Sequence, residues 1–256
     1  VVVTAADDND DADNDALSDL AEDVVGTDPG KPDTDGDGAT DGAEVSLGSN
    51  PLDNHPVATG IIASADLPDF ALDLVVENGL AVVALDTSGI AVVNVQPGTT
   101  PTIIAQVNTP GRAFAVARTG NMVVVGDGAS GLALSDISDP PATRIVHQLA
   151  LGTIQAVDAA GGVAYAGSTA GAITAVEVTS GTPFYTAKLP REIEDLRVVG
   201  DHLYALTQGT LYVLALDGLQ TLGSVATPGL VNAAHGRMRL FVDGRVAYAV
   251  HNRGYN

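Results

Sequence analysis

A unit of about 42 residues repeats along most of this chain, and this period limits the possible folds more than any other feature. From about Leu67 onward, short runs of Val, Ala, Leu and Ile are separated by Gly, Asp and Asn, which is typical of many short strands. Five such runs are spaced at intervals of 41, 42, 39 and 44 residues and end at Val82, Val123, Tyr165, Tyr204 and Tyr248. Self-similarity at this period indicates a repeat architecture built from one supersecondary unit.

The second repeat shows the content of one unit most clearly. It contains four candidate strands, at residues 114–117, 122–125, 132–135 and 144–148. Four short strands within about 42 residues have the length of one β-propeller blade. We therefore expect an all-β fold, a β-propeller with about four complete four-stranded blades and part of a fifth. A β-sandwich without repeats remains the alternative.

The fifth repeat stops at Tyr255 and Asn256, where its third strand is expected to form, so the predicted ring is incomplete in this chain. An open ring leaves sheet edges unpaired. We expect either that more chain follows and closes the ring or that a partner covers the edge. Because the chain begins at Val1 without a Met, we also expect it to be a portion of a longer protein.

A recurrent motif is best preserved in the second repeat. Residues 124–128 read Val-Val-Gly-Asp-Gly, and residues 131–140 read Gly-Leu-Ala-Leu-Ser-Asp-Ile-Ser-Asp-Pro. These segments resemble LVIVD-type repeats, whose consensus runs roughly G-x-x-A-Y-V-A-D and then G-L-x-I-x-D-V-S-x-P. The third and fourth repeats lack the D-x-S-x-P tail, which leaves their loop conformation open. The resemblance implies LVIVD-type propeller blades over residues 67–256.

Two twelve-residue acidic segments precede the blades. Residues 33–44 fit the calcium-loop pattern D-x-[DN]-x-[DN]-G-x5-E at every constrained position, and residues 11–22 repeat its five acids. Calcium takes six to eight oxygen ligands, which carboxylates at loop positions 1, 3, 5, 9 and 12 and a carbonyl at position 7 supply. The predicted ligands are Asp11, Asp13, Asp15, Leu17, Asp19 and Glu22 in the first loop, and Asp33, Asp35, Asp37, Ala39, Asp41 and Glu44 in the second. We expect at least two Ca²⁺ ions.

The two loops differ at the turn position, where the first has Ala16 and the second has Gly38. A residue with a Cβ tolerates the left-handed conformation poorly, at a cost of roughly 1 kcal/mol. We therefore expect the first site to be the weaker one. Asp7, Asp8, Asp10, Asp28 and Asn50 stay open as further ligands.

The loops and their Gly-Thr-Asp-Pro type tails resemble thrombospondin type-3-like calcium repeats over about residues 7–55. Such repeats occur in bacterial secreted and surface proteins, so the resemblance implies an extracellular, calcium-stiffened spacer. The residues after each loop, 22–29 and 44–51, predict a short helical turn that is closed by a glycine and stopped by a proline. This agrees with a spacer, because too few residues separate Glu22 from Pro29 for the long amphipathic helix of a calcium sensor. A solvated acidic linker is the alternative for an acidic stretch of this kind.

The acidic residues are concentrated at one end of the chain. Residues 1–56 hold 16 acids against the single base Lys31, and the rest holds 16 acids against 10 bases. This distribution predicts the end of a preceding segment at 1–6, tandem calcium repeats at 7–56, a linker at 57–66 and the truncated propeller at 67–256. It argues against nucleic-acid binding, which needs a basic surface. No membrane span is predicted, since no apolar run approaches about 18 residues.

No arrangement of catalytic groups stands out. The five histidines occur singly, outside any metal-binding spacing: His55, His147, His202, His235 and His251. The one dense charge mixture, residues 191–197, is interpreted as a salt-bridged loop. We therefore expect a non-enzymatic, exported bacterial scaffold or adhesion protein of the cell surface, binding an unknown protein or glycan partner. The alternatives are a self-associating fibre or surface-layer subunit, pairing through an exposed blade edge and residues 1–4, and a secreted hydrolase using Glu194 or Asp195.

Overall fold

The chain divides into two compact units, Val1–Ser64 and Ala65–Asn256. The computed structural model describes residues 10–54, 64–96, 100–227, 238–243, 246–251 and 254–255. The predicted preceding segment and most of the predicted linker lie outside these residues. Neither helix of the described part is long and apolar enough to cross a membrane.

The first unit contains two helices of seven residues each, α1 (Asp19–Val25) and α2 (Asp41–Leu47). Each helix begins after a hydroxyl side chain that accepts a hydrogen bond from a first-turn backbone N–H. Each ends at a glycine in the left-handed conformation, Gly26 and Gly48. The predicted short helical turns are therefore confirmed.

The second unit consists of successive antiparallel sheets. The first sheet contains β1 (Asp73–Glu77), β2 (Leu80–Ala84), β3 (Ile90–Asn94) and β4 (Thr102–Val107). The second contains β5 (Ala115–Thr119), β6 (Met122–Gly126), β7 (Leu132–Asp136) and β8 (Arg144–Leu149), with a 3₁₀ turn at Pro140–Ala142. The third contains β9 (Ile154–Ala160), β10 (Val163–Ser168), β11 (Ala172–Glu177) and β12 (Thr182–Lys188).

The last two sheets follow the same order. The fourth contains β13 (Ile193–Val199), β14 (His202–Thr207), β15 (Thr210–Ala215) and β16 (Thr221–Ala226). The fifth contains β17 (Arg239–Asp243), β18 (Val246–His251) and β19 (Gly254–Tyr255). Strands pair with their neighbours in chain order in every sheet, as in propeller blades. The predicted all-β fold is confirmed, with four four-stranded sheets and a three-stranded fifth among the described residues.

Small aliphatic side chains fill the space between consecutive sheets. Val82 and Val92 of the first sheet share a buried cluster with Val116 and Val125 of the second. Further clusters lie between the second and third, third and fourth, and fourth and fifth sheets. Because aromatic residues make up only 4% of the chain, the sheets pack mainly through Val, Ala, Leu and Ile.

Among the described residues, aspartates on the first strands connect three of the four pairs of consecutive blades. The first strands of neighbouring sheets contact one another, which makes them the innermost strands. The three carboxylates accept backbone N–H groups of the next blade: Val116 donates to Asp73 at 3.0 Å, Val198 to Asp158 at 2.6 Å and Leu240 to Asp195 at 2.8 Å. Each bond satisfies a backbone donor that would otherwise need another partner.

No strand pairing among the described residues joins the fifth sheet to the first. The expectation that more chain or a partner completes the ring therefore remains a prediction. The third and fourth blades keep four strands although they lack the D-x-S-x-P tail. In the second blade the proline of that tail, Pro140, is the first residue of the 3₁₀ turn at Pro140–Ala142.

Candidate metal centres

Three aspartates of each predicted loop converge in the first unit. One carboxylate oxygen from each of Asp11, Asp13 and Asp15 lies within 4.8 Å of the other two. Asp33, Asp35 and Asp37 form an equivalent group in the second loop. These are loop positions 1, 3 and 5, so the spacing read from the sequence is reproduced in space.

The position 1 aspartate organises the backbone of its loop. The Asp33 carboxylate accepts N–H groups from Gly36 at 2.7 Å, Gly38 at 3.0 Å and Asp37 at 3.2 Å. Burial opposes ionisation of Asp33, but these donors together outweigh it and lower its pKa. Asp11 accepts N–H groups from Asp15 and Ala16, each at 3.2 Å. Both loops therefore curl around the carboxylate at position 1.

The position 12 glutamates lie in the first turns of α1 and α2 and are fully buried. Burial raises the pKa of Glu22, and the charges of Asp13 and Asp15 raise it further. Burial likewise raises the pKa of Glu44, with added repulsion from Asp37 and Asp35. The glutamates therefore lie close enough to the aspartate groups for the aspartate charges to raise the pKa of each glutamate.

Several of these carboxylate oxygens are buried without a hydrogen-bond donor. Among the described residues the unpartnered oxygens include both of Asp13, Oε2 of Glu22, Oδ2 of Asp37 and both of Glu44. Burying unpaired anionic oxygens is costly unless a cation compensates them. Ca²⁺ prefers clustered carboxylate oxygens of this kind, so the donor set fits that ion.

The position 9 aspartates are held differently from the other acids. Asp41 accepts the Thr34 N–H at 2.9 Å and the Thr34 hydroxyl at 2.6 Å, so both of its oxygens are engaged. Asp19 accepts the Ala12 N–H at 2.8 Å. Asp19 and Asp41 therefore lie outside the groups formed by the other three aspartates of their loops. Each of them instead links the first turn of its helix to the residue at position 2 of its loop.

The turn positions show the strain expected from the sequence. Ala16 has φ of 77° and Gly38 has φ of 100°, so both lie in the left-handed region. Only the glycine adopts this region without a Cβ penalty. The backbone N–H groups of Leu17 and Ala39 donate to Asp15 at 2.7 Å and to Asp37 at 2.8 Å. Ligation of an ion by the carbonyl oxygens of Leu17 and Ala39 remains a prediction.

The two loops are physically connected through Asp15. Its Oδ2 accepts the backbone N–H of Gly42, in α2, at 2.6 Å. A Cβ on Gly42 would overlap the carbonyl oxygen of Asp15 and come within 2.9 Å of the Leu17 nitrogen. The sequence gives only a weak sign of this contact, which is a glycine at position 10 of the second predicted calcium loop.

The open candidates for further ligands fall outside the two groups. Asp10 accepts the Asp19 N–H through its backbone carbonyl at 2.9 Å, and Asp28 accepts the Gly30 N–H at 3.2 Å. Asp35 accepts the N–H of Asn54 at 2.6 Å, which fixes the segment after α2 against the second loop. Asp7 and Asp8 lie outside the described residues.

The charged segment of the fourth blade forms structural contacts. Asp195 is 3% exposed, and its carboxylate accepts a hydrogen bond from the Leu240 N–H. Gln208 donates to Glu192 at 2.6 Å and to Glu194 at 3.2 Å. Of the histidines, His147 contacts the Thr179 carbonyl at 2.8 Å and His202 lies 2.6 Å from Asp201. His55 and His235 lie outside the described residues.

Comparison with known proteins supports the identity of the second loop. Residues 33–54 match the family described as bacterial TSP3 repeat. TSP3 repeats are of a calcium-binding type and are typically extracellular. No curated protein matches the chain.

Solved structures support the fold of the second unit. The computationally designed Ika8 protein aligns with a TM-score of 0.57 at 15% identity, covering 70% of this chain and 55% of that one. The designed Ika4 protein aligns with a TM-score of 0.53 at 14% identity, covering 62% and 99%. BamB from Moraxella catarrhalis, a propeller, aligns with a TM-score of 0.55 at 18% identity, covering 75% and 62%. This chain thus spans little more than half of Ika8, and at these identities the likeness concerns the fold alone.

Proposed function

We propose that this chain is a calcium-binding extracellular scaffold or adhesion protein, in which a calcium-stiffened spacer precedes a β-propeller recognition platform. The observation that carries the proposal is the set of buried, unpartnered carboxylate oxygens at positions 5 and 12 of the second loop and at positions 3 and 12 of the first. Only a cation of matching preference compensates so many anionic oxygens.

The chain's own residues explain how binding would stiffen the spacer. Carboxylates crowded in one loop repel each other by about 1 kcal/mol per close pair even in water. When bound, Ca²⁺ supplies the positive charge that removes this repulsion. Asp33 and Asp11 hold the loop backbones, Asp41 and Asp19 tie the loops to the helices, and Asp15 connects the two repeats. The spacer would then behave as one ordered unit.

We further propose that the protein is exported, acts at the cell surface and is not an enzyme. Extracellular calcium modules bind at about 10⁻⁴ to 10⁻³ M, which external calcium saturates. The TSP3 match supports an external location, and kinship of the blades with LVIVD repeats remains part of the proposal. The partner would be a protein or a glycan that contacts the propeller.

Hydrogen exchange in the presence and absence of calcium tests the spacer role. With excess calcium, amides of residues 10–54 should be protected, and with EGTA they should exchange within the dead time. Amides of β5 to β15 serve as the internal control and should keep their protection in both buffers. Equal protection of residues 10–54 in the two buffers would contradict a calcium-stiffened spacer.

Self-association is a second candidate role, and it is favoured by the fifth sheet. Tyr165 is 4% exposed and shares a buried cluster with the next blade, whereas Tyr248, at the equivalent repeat position, is 51% exposed. A second copy presenting a blade of the same type would bury Tyr248. Sedimentation of the whole chain and of Tyr248→Ser tests this role: a concentration-dependent dimer lost in the variant supports it, and a monomer at all concentrations excludes it.

A further inference from the structure

Two cavities that are open to solvent lie beside the innermost strands of the second unit, among the residues that the structure describes. The larger, of about 340 Å³, is lined chiefly by Leu72, Asp73, Leu74, Arg197, Arg239 and Phe241. The smaller, of about 230 Å³, shares Asp73, Leu74 and Arg197 with it and reaches Asp158 and Arg118. A volume of a few hundred cubic ångströms is in the range of small-molecule sites.

The larger cavity is richer in arginine than the chain as a whole. The chain carries a net charge of −21, yet this cavity is lined by two arginines and one aspartate. The aspartate is already used, because Asp73 Oδ1 lies 2.9 Å from Arg239 Nη2 and Oδ2 accepts the Val116 N–H at 3.0 Å. Arg197 in turn pairs with Asp195 at 3.2 Å, so each arginine of the wall has one carboxylate partner. The wall therefore offers a ligand unused N–H donors, not a net positive charge.

Both guanidinium groups are held in place while keeping unused donors. Arg239 donates through Nη2 to the Leu72 carbonyl at 2.9 Å, and Arg197 donates through Nη1 to the Leu196 carbonyl at 2.6 Å and to Asp195 at 3.2 Å. Within the part of the chain that the structure describes, Nε and the second Nη of each group have no hydrogen-bond acceptor. The side chains are 24% and 29% exposed, so these donors are partly desolvated.

We propose that the cavity between Arg197 and Arg239 binds a small organic carboxylate. A guanidinium group matches the planar geometry of a carboxylate and forms two parallel N–H···O bonds with it. Leu72, Leu74 and Phe241 supply apolar wall for a short hydrocarbon or aromatic body. The proposal does not depend on calcium binding, because every group in it belongs to the second unit.

Calorimetric titration of the whole, calcium-saturated chain with benzoate tests this site. Benzoate should bind, benzamide, its uncharged analogue, should not, and Arg197→Gln or Arg239→Gln should weaken benzoate binding by about tenfold or more. Arg144→Gln is the matched control, since Arg144 is 63% exposed and pairs with Asp136 elsewhere in the unit. Equal binding of benzamide, or an equal loss in Arg144→Gln, would overturn the proposal.

Two further measurements keep the test decisive. A second titration with sulfate tests whether the cavity prefers an inorganic anion. Binding of sulfate without binding of benzoate would overturn the assignment to carboxylates. If the arginine variants fail to fold, phenylglyoxal labelling of the unmodified chain replaces them. Benzoate should slow labelling of Arg197 and Arg239 but not of Arg144, and unchanged rates at the two cavity arginines would refute the site.

Discussion

At the scale of single residues, the clearest contrast is at the turn position of the two loops. Ala16 and Gly38 both adopt positive φ, but only Ala16 carries a Cβ there. A Cβ on Gly38 would meet no atom within 4 Å, so exchanging the two residue types changes backbone strain and little else. The two repeats therefore form a natural pair for measuring how this strain affects affinity.

We predict that Ala16→Gly strengthens calcium binding at the first loop by up to about fivefold, which corresponds to the roughly 1 kcal/mol cost of a left-handed alanine. Gly38→Ala should weaken the second loop by a similar factor. Calcium titrations followed by NMR resolve the two loops separately. Unchanged affinity in both variants would show that the turn is not strained.

Glu177 provides a test of pH dependence outside the metal loops. Hydrogen bonds from the Ser180 hydroxyl and N–H and from the Thr179 N–H lower its pKa from 4.5 to about 2. Because the folded pKa is the lower one, Glu177 adds stability above pH 4.5 that is lost as the pH falls towards 2. The free energy of unfolding of the unmodified chain should exceed that of Glu177→Gln near neutrality, and urea titrations should show the difference shrinking between these two pH values. A difference independent of pH would contradict the assignment.

At the scale of elements, contacts over long sequence distances decide how loops and blades are held. The Gly42 N–H of α2 donates to Asp15 of the first loop. Asp195 of β13 accepts from Leu240 of β17. In both cases a carboxylate satisfies a backbone donor of the next repeat, so each repeat is stabilised by its neighbour.

Gly42→Ala should damage the first calcium loop although the change lies in the second repeat. Alanine normally favours a helix over glycine, but here its Cβ would overlap the Asp15 backbone. We expect calcium affinity at the first loop to fall more than at the second, as measured by NMR titration. Ser46→Ala, at an exposed position of α2, is the control and should leave both loops unchanged. An equal result for the two variants would exclude the coupling.

Asp195→Ala should destabilise the second unit by about 3 kcal/mol, because it leaves the Leu240 N–H and Arg197 without a buried carboxylate partner. Chemical denaturation monitored by tyrosine fluorescence measures the change. Asp139→Ala is the control: Asp139 is exposed, its side chain does not cap the following turn, and its removal should cost less than about 0.5 kcal/mol. Equal stability of the two variants would contradict the role of Asp195.

The limits of sequence reasoning follow from these contacts. The strand bounds that the sequence predicts for the second blade agree with the observed bounds within two residues, because the repeat unit and its alternation are local properties. The grouping of Asp33, Asp35 and Asp37 was predictable for the same reason. By contrast, the engagement of Asp41 with Thr34 and the approach of Arg239 to Asp73 depend on how separate elements pack, which residue spacing does not encode.

At the scale of the whole molecule, two units of different physical character share one chain. The first buries carboxylates and has little apolar core: among the described residues its buried apolar side chains are Leu17, which is 8% exposed, and Pro51. The second is built of sheets with aliphatic clusters between them. Removal of calcium should therefore unfold the first unit and spare the second.

Counting bound calcium is the most direct test of the central claim. Native mass spectrometry of the whole chain in calcium should show two bound ions, and Asp37→Ala, which removes a buried oxygen of the second loop, should show one. EGTA should remove both. A chain that carries no calcium at millimolar concentration, or that retains both ions in a variant lacking Asp13, Asp37, Glu22 and Glu44, would contradict the account.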